Sequence, residues 1–238
     1  MSVALITGGS AGLGLALTTT LAHLGWTVVT DGRSSGRLRD AVGLLPTVVA
    51  VPGDVADPDH RAALASEVRD HGRLDLLVHG ASTLGPLPLR PLRDLTASEL
   101  AGVWAVNTEG PLALTRLLLP VLRDSDGVLL SVSSDAAVEH YATWGAYGAS
   151  KAALDHLTLT LAVEEAITAY AVDPGDMRTR MHQDAFPDDD ISDRPRPETV
   201  VPRLLALLRQ RPPSGRYRAA DVVVPETSDV APTASAGV

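Results

Sequence analysis

Apolar residues recur along this chain in short, almost unbroken runs, set apart by longer stretches in which they return every three or four positions. The short runs predict strands buried on both faces, and the longer periodic stretches predict helices with one apolar face. Strands are expected at 2–7, 27–31, 47–51, 74–79, 127–133, 167–173 and 219–224. Helices are expected at 12–24, 34–42, 58–71, 97–123, 147–165 and 197–209. Asp57-Pro58 and the Thr96-Ala97-Ser98-Glu99 box mark two of the helix starts. Alternating strand and helix gives an α/β fold, a doubly wound parallel sheet of about seven strands with helices on both faces.

Two stretches break the alternation. Residues 176–197 carry Asp188-Asp189-Asp190 and Pro195-Arg196-Pro197, and are expected to form either a mobile loop or a lid. Residues 225–238, rich in Pro, Thr, Ser and Ala, are expected to be a flexible tail. With no internal repeat, residues 1–224 make one domain.

Composition narrows the function classes. A net charge of −9 argues against a nonspecific nucleic-acid binder, which needs surplus Lys and Arg. The absence of cysteine removes disulfides, thiolate metal sites and thiol nucleophiles, and no metal site is expected. Met1 to Ile6 carry no basic leader, and no apolar run approaches the roughly 18 residues of a membrane span. A cytoplasmic location and no membrane partner are the expectation. The cations comprise nineteen arginines and one lysine, Lys151. An Arg-rich composition that keeps one Lys draws attention to it, since Arg cannot replace a compact ammonium.

The first strand runs into Thr7-Gly8-Gly9-Ser10-Ala11-Gly12-Leu13-Gly14 and then an amphipathic helix. Such a turn lets the backbone approach a pyrophosphate, whose charge the helix N-terminus favours. The second strand ends Thr30-Asp31-Gly32-Arg33-Ser34, where a dinucleotide site meets the adenosine ribose. Asp31 there would bond the ribose hydroxyls of NAD, and Arg33 would meet the 2′-phosphate of NADP; the sequence offers both. Asp54 and Val55 are candidates for the adenine edge.

Tyr147-Gly148-Ala149-Ser150-Lys151 places a phenol and an ammonium four residues apart, on one face of a helix. A free phenol titrates near 10, and a neighbouring cation would draw it towards neutrality, as an acid–base catalyst requires.

Taken together, these motifs closely resemble the short-chain dehydrogenase/reductase family, in its single-domain branch. The resemblance runs from residue 1 to about 224 and rests on Thr7-Gly8-x-x-x-Gly12-x-Gly14, Asp54, Asn107, Ser134, Tyr147-x-x-x-Lys151 and Pro174-Gly175. It implies a Rossmann-type fold and interconversion of a carbonyl and a secondary alcohol by hydride transfer. It also implies that Ser134, Tyr147 and Lys151 are catalytic and that Asn107 holds a water of the proton relay. Ser131 and Ser133 are out of register for the serine. Gly8, Ser10, Gly12, Leu13, Gly14, Arg33, Asp54, Val55, Gly80, Ala81, Tyr147, Lys151, Pro174, Gly175 and Thr179 would hold the cofactor. The family's NAD-selecting acid falls on Gly32, so NADP(H) is favoured over NAD(H), with Asp31 one place early.

Three departures from the family stand out. Asn-Asn-Ala-Gly after the fourth strand is His79-Gly80-Ala81-Ser82, the closing Asp-Gly-Gly is Asp221-Val222-Val223, and Arg178 follows Met177. By the same resemblance Leu84, the 136–144 segment and the 177–186 loop wall a largely apolar substrate pocket through Tyr141, Trp144, Met181 and Phe186, with His140 and His182 as polar options. A homodimer or homotetramer is expected, through the 97–123 and 147–165 helices. The alternative is a non-catalytic NADP(H)-binding regulatory or scaffold protein on the same fold, which would not need all of Ser134, Tyr147, Lys151 and Asn107.

Overall fold

The computed structural model describes residues 1–225. Seven parallel strands form one sheet in the order β3-β2-β1-β4-β5-β6-β7. They are β1 (Val3–Thr7), β2 (Thr27–Gly32), β3 (Val48–Pro52), β4 (Leu76–His79), β5 (Val128–Val132), β6 (Thr168–Asp173) and β7 (Gly215–Arg218). Successive residues of the central strands point to opposite faces, and both faces are covered. Ala4, Ile6, Val28, Leu76 and Val78 pack with α1 (Gly12–His23) and a late helix, Val201–Gln210. Leu5, Val29, Leu77 and Leu129 pack on the other face with α3 (Pro58–Asp70) and the long helical segment that begins at residue 97. Between them, α2 (Ser35–Val42) starts on the Ser34 side chain, which accepts the Arg37 N–H. The seven strands thus form the expected doubly wound Rossmann-type sheet.

The structure refines several expected elements. The helix expected at 97–123 is α4 (Ala97–Trp104), a π turn (Ala105–Glu109) and α5 (Gly110–Asp124), running on without a break. The helix expected at 147–165 is α6 (Gly145–Glu164). Within the 176–197 stretch, Arg180–Ala185 form a short helix, α7, started by the Thr179 hydroxyl, which accepts the His182 N–H at 3.2 Å. The late helix is α8 (Val201–Gln210), and the strand expected at 219–224 is instead Gly215–Arg218. Its sequence, Gly-Arg-Tyr-Arg, has no apolar run; it pairs at the sheet edge because Tyr217 stacks edge-on against buried Tyr170, centroids 5.6 Å apart. Residues 219–221 tighten into a 3-10 turn, and Val222 enters the core beside α8 without strand pairing. Except for Pro225, the tail expected at 225–238 lies outside the described residues.

Leu77 sits in the middle of β4 with no exposed surface. Leu77→Ala is expected to destabilise the fold by about 2–5 kcal/mol, through lost burial plus the cavity left behind. Urea unfolding followed by tryptophan fluorescence measures it.

Candidate active site

After β1 the chain proceeds to β2 and β3 on one side, and β4 to β7 lie on the other, so the carboxyl ends of β1 and β4 flank a crevice. Thr7, the last residue of β1, knits that crevice. Its hydroxyl accepts the N–H groups of Gly80 at 3.1 Å and Ala81 at 3.2 Å, and donates to the Val78 carbonyl at 3.3 Å. Gly8 follows with φ +78°, and a Cβ there would stand 2.9 Å from the Ala81 backbone. A Cβ on Gly14 would stand 2.4 Å from the Gly8 carbonyl oxygen. Only glycine lets this loop fold so tightly and hand over to α1.

Asp31 is buried beneath the loop. One carboxylate oxygen accepts the Gly8 N–H at 2.6 Å, and the other meets His60 Nε2 of α3 at 3.0 Å. Both oxygens are therefore engaged inside the protein. Arg33 and Arg37 lie exposed at the same end of the crevice, one turn apart, with Ser34 between them. Arg37 is a candidate that the sequence reading missed; its spacing from Arg33 at a helix start was the available signal.

At the other end, Ser134 follows β5, and α6 presents Tyr147 and Lys151. The phenol is buried among Leu84, Ala136, Leu89, Trp144, Met181 and Ala185. Trp144 packs between Tyr147 (5.6 Å) and Phe186 (5.7 Å), and Phe186 meets His182 at 5.0 Å. The Lys151 Nζ donates to the Val132 carbonyl at 2.9 Å and lies 5.6 Å from the centroid of the Tyr147 ring. The Ser134 hydroxyl donates to Asp135 Oδ1 at 3.0 Å and accepts the Ala136 N–H at 3.2 Å. The other oxygen of Asp135 holds the Tyr141 hydroxyl at 2.8 Å.

Tyr147 and Lys151 titrate otherwise than their spacing suggests. Burial pushes the Tyr147 phenol up to about 12, while the hydroxyls of Ser134 and Ser82 pull down by less. Burial lowers Lys151 to about 8, opposed by the charge of Asp155. The expectation that Lys151 draws the phenol towards neutrality is therefore corrected for this state: burial sets the direction of the shift, and the ammonium lies by the ring and bonds to Val132. His79, in place of the family's asparagine, is also buried; its Nε2 meets Thr115 Oγ1 at 2.7 Å, and burial together with Lys151 lowers it to about 3. It is a neutral structural group.

Asn107 lies in the π turn and has no exposed surface. Its Nδ2 donates to the Thr83 carbonyl at 2.8 Å and to Ser150 Oγ at 2.9 Å, and its Oδ1 accepts the Thr83 N–H at 2.8 Å and the Ser82 hydroxyl at 3.2 Å. Ser150 Oγ in turn donates to the Tyr147 carbonyl at 2.7 Å. The amide is saturated and works as an anchor between the π turn, α6 and residues 82–83. Every other catalytic or cofactor-binding candidate lines one cavity of about 360 Å³, from Arg33 and Asp54 past the glycine loop to Ser134, Tyr147, Lys151 and Thr179; of the expected substrate wall, Leu84, Trp144, Met181 and His182 line it and His140, Tyr141 and Phe186 do not.

A cavity that joins a glycine loop at a helix start to a Ser–Tyr–Lys cluster, on this sheet, is that of an oxidoreductase of the dehydrogenase/reductase class. The family model described as short chain dehydrogenase matches residues 2–190, and the chain belongs to that family. An oxidoreductase of Saccharomyces cerevisiae, YIR035C, is 33% identical over 186 residues, 75% of this chain and 72% of the relative. The benzil reductase ((S)-benzoin forming) IRC24 of the same yeast is 31% identical over 223 residues, 87% of this chain and 81% of its own. A short chain dehydrogenase from Escherichia coli CFT073, solved with NADPH, superposes with a TM-score of 0.84 at 29% identity, covering 92% of this chain and 96% of that one. Among the described residues, no helix is long and apolar enough to cross a membrane.

Thr7→Val would remove the acceptor of two N–H groups at the β1–β4 junction. We expect a loss of about 1–3 kcal/mol in chemical denaturation, from the unpaired N–H groups of Gly80 and Ala81. A loss below about 0.5 kcal/mol would mean that solvent replaces the hydroxyl.

Proposed function

We propose that this protein is an NADPH-dependent ketoreductase that reduces an apolar ketone of small to medium size to a secondary alcohol. The observation that carries the reading is that Ser134, Tyr147 and Lys151 share one cavity with the glycine loop and with Arg33 and Arg37. The residues fit a dinucleotide. Gly8, Gly12 and Gly14 line the cavity beside the start of α1, where main-chain N–H groups of a helix N-terminus suit a pyrophosphate. The planar forks of Arg33 and Arg37 suit a 2′-phosphate, whereas Asp31 has no free oxygen for ribose hydroxyls. The relative solved with NADPH is in keeping with this choice.

A bound nicotinamide would supply the hydride to the carbonyl carbon. The chain's own residues manage the oxygen. Tyr147, held protonated to about pH 12, gives its proton to the oxygen as negative charge develops there. Ser134 offers that oxygen a hydrogen bond. Lys151 spends one N–H on Val132 and keeps two for the hydroxyls of the nicotinamide ribose. Asn107, through Ser150, fixes the turn of α6 that carries Tyr147. Leu84, Trp144 and Met181 form an apolar wall beside the phenol, which suits a ketone with an aryl group; the relative named for benzil supports this.

Tyr147→Phe is expected to cut turnover of benzil by about 10²–10⁴-fold and to leave NADPH binding intact, measured by nicotinamide absorbance and fluorescence. Near-normal turnover would refute the assignment. Arg33→Ala should weaken NADPH about tenfold or more without weakening NADH. Equal loss for both would move the phosphate contact elsewhere. For pH, the sign follows from Lys151, lowered from 10.5 to about 8. Its ammonium is present below that value and lost above it, so reduction should be level below about pH 8 and decline above. A rate that keeps rising through pH 9 would count against an essential ammonium.

A further inference from the structure

The edge strand β7 sends one side chain back towards the centre of the protein. The Arg216 guanidinium donates through Nη2 to the main-chain carbonyl of Ser134 at 2.8 Å and through Nε to Asp155 Oδ2 at 3.1 Å. The same Asp155 oxygen accepts the Ser133 hydroxyl at 2.6 Å. Nη2 also lies 3.6 Å from Asp173 at the end of β6, whose other oxygen accepts the Gly175 N–H at 2.9 Å. Asp155 stands one helical turn beyond Lys151 on α6 and is largely buried, and its Oδ1 has no hydrogen-bond partner. One planar cation thus joins the end of β5, α6 and the Pro174-Gly175 turn. Neither Arg216 nor Asp155 lines the cavity, so neither can touch substrate directly.

We infer that Arg216 is a positioning residue for this active site, fixing the backbone of Ser134 and neutralising Asp155 so that the charge balance around Lys151 is kept. The inference rests on the proposed roles of Ser134 and Lys151. Asp155 on α6 acts on the ammonium directly; Tyr147 on α6 and His79 on β4 also face it, and Arg216 on β7, paired with Asp155 and near Asp173 at the end of β6, reaches it through Asp155. Tyr147 and His79 are neutral over the working range, since burial holds one at about 12 and the other at about 3. Burial raises the Asp155 carboxyl while the Ser133 hydroxyl and Arg216 pull it down, so the carboxylate that favours the ammonium is shared with the Arg216 guanidinium. A lysine in place of Arg216 would restore charge, but it lacks the fixed fork that reaches Ser134 and Asp155 together.

The single lysine makes the electrostatic half directly measurable. Carbon-13-labelled lysine in the full-length, ligand-free protein gives one side-chain signal, whose titration midpoint for the wild type is expected at about 8. Arg216→Met should raise that midpoint by about half a unit or more, because Asp155 is no longer offset, and Asp155→Asn should lower it by a similar amount. Arg216→Lys gives a second lysine signal; the one it shares with the wild type, that of Lys151, should keep the wild-type midpoint. With NADPH and benzil as probes, kcat of Arg216→Met should fall about 10–100-fold while NADPH affinity and the benzil KM change little. Arg216→Lys should keep that low kcat despite its restored midpoint. Unmoved midpoints in both Arg216→Met and Asp155→Asn, or wild-type kcat in Arg216→Met, would overturn the inference. If Arg216→Met does not fold, Asp155→Asn and Arg216→Lys decide by the same readouts. Tyr147→Phe separates the two readings. An inactive Tyr147→Phe beside a fully active Arg216→Met sinks the positioning role alone, whereas an active Tyr147→Phe sinks the ketoreductase reading.

Discussion

Burying the ammonium of Lys151 is the constraint around which the centre of this protein is arranged. The residue is 1% exposed, and an ion taken out of water costs several kcal/mol unless its hydrogens and its charge are met. The Val132 carbonyl takes one hydrogen at the end of β5, and Asp155 supplies counter-charge one turn further along α6. These requirements fix the rotation of α6 against the sheet. Pairs of buried hydroxyls and carboxylates then hold that rotation: Ser131 with Thr158 at 2.7 Å, Ser133 with Asp155 at 2.6 Å, and Thr108 with the Ser150 carbonyl at 3.1 Å. Tyr147 shares the face of Lys151, so its position is set by the same contacts. The π turn at 105–109 lets the saturated Asn107 amide meet α6 without ending the helix that carries it.

At the glycine-loop end the constraint is a different one: backbone must approach backbone. Thr7, Gly8 and Gly14 bring the β1 turn against Gly80 and Ala81, and Asp31 closes the underside through Gly8 and His60. His60 can lie there because Gly53 has no side chain; a Cβ at that position would stand 2.1 Å from its ring nitrogen. The His79-Gly80-Ala81-Ser82 segment departs from the family's asparagines, yet the crevice is kept. Thr7 anchors the two N–H groups, Thr115 satisfies one nitrogen of His79, and Ser82 bonds to Asn107. The substitution moves polar support from one side chain to several.

The fold was legible where burial is two-sided. Runs such as Val3–Thr7 and Leu76–His79 admit few readings other than strands of a covered parallel sheet. β7 begins four residues before the expected start because an edge strand of Gly-Arg-Tyr-Arg owes its place to β6, through contacts made 45 to 47 positions away in sequence. Tyr147 and Lys151 were legible because one helix sets their spacing. Arg216 and Asp155 were not, since their link spans 61 positions and follows from the order of strands in the sheet. Spacing alone also misjudged the phenol: it shows that a cation is near, but not how deeply the hydroxyl is buried, and burial raises it.

The arrangement of Ser134 bears on how binding and catalysis divide. A serine hydroxyl has one proton to give, and here it goes to Asp135, which is itself steadied by Tyr141. On the proposed reaction a ketone oxygen must draw that proton away from a carboxylate. A neutral carbonyl is the weaker acceptor, so little is gained when substrate first binds. As hydride arrives the oxygen becomes alkoxide-like and competes on equal terms, so the hydrogen bond strengthens just where charge develops. An interaction stronger in the transition state than in the bound ketone speeds the chemical step, whereas one equally strong in both would only tighten binding. On the proposed reaction, Asp135, one residue beyond the serine, would thereby make Ser134 a donor whose contribution falls on turnover and not on affinity.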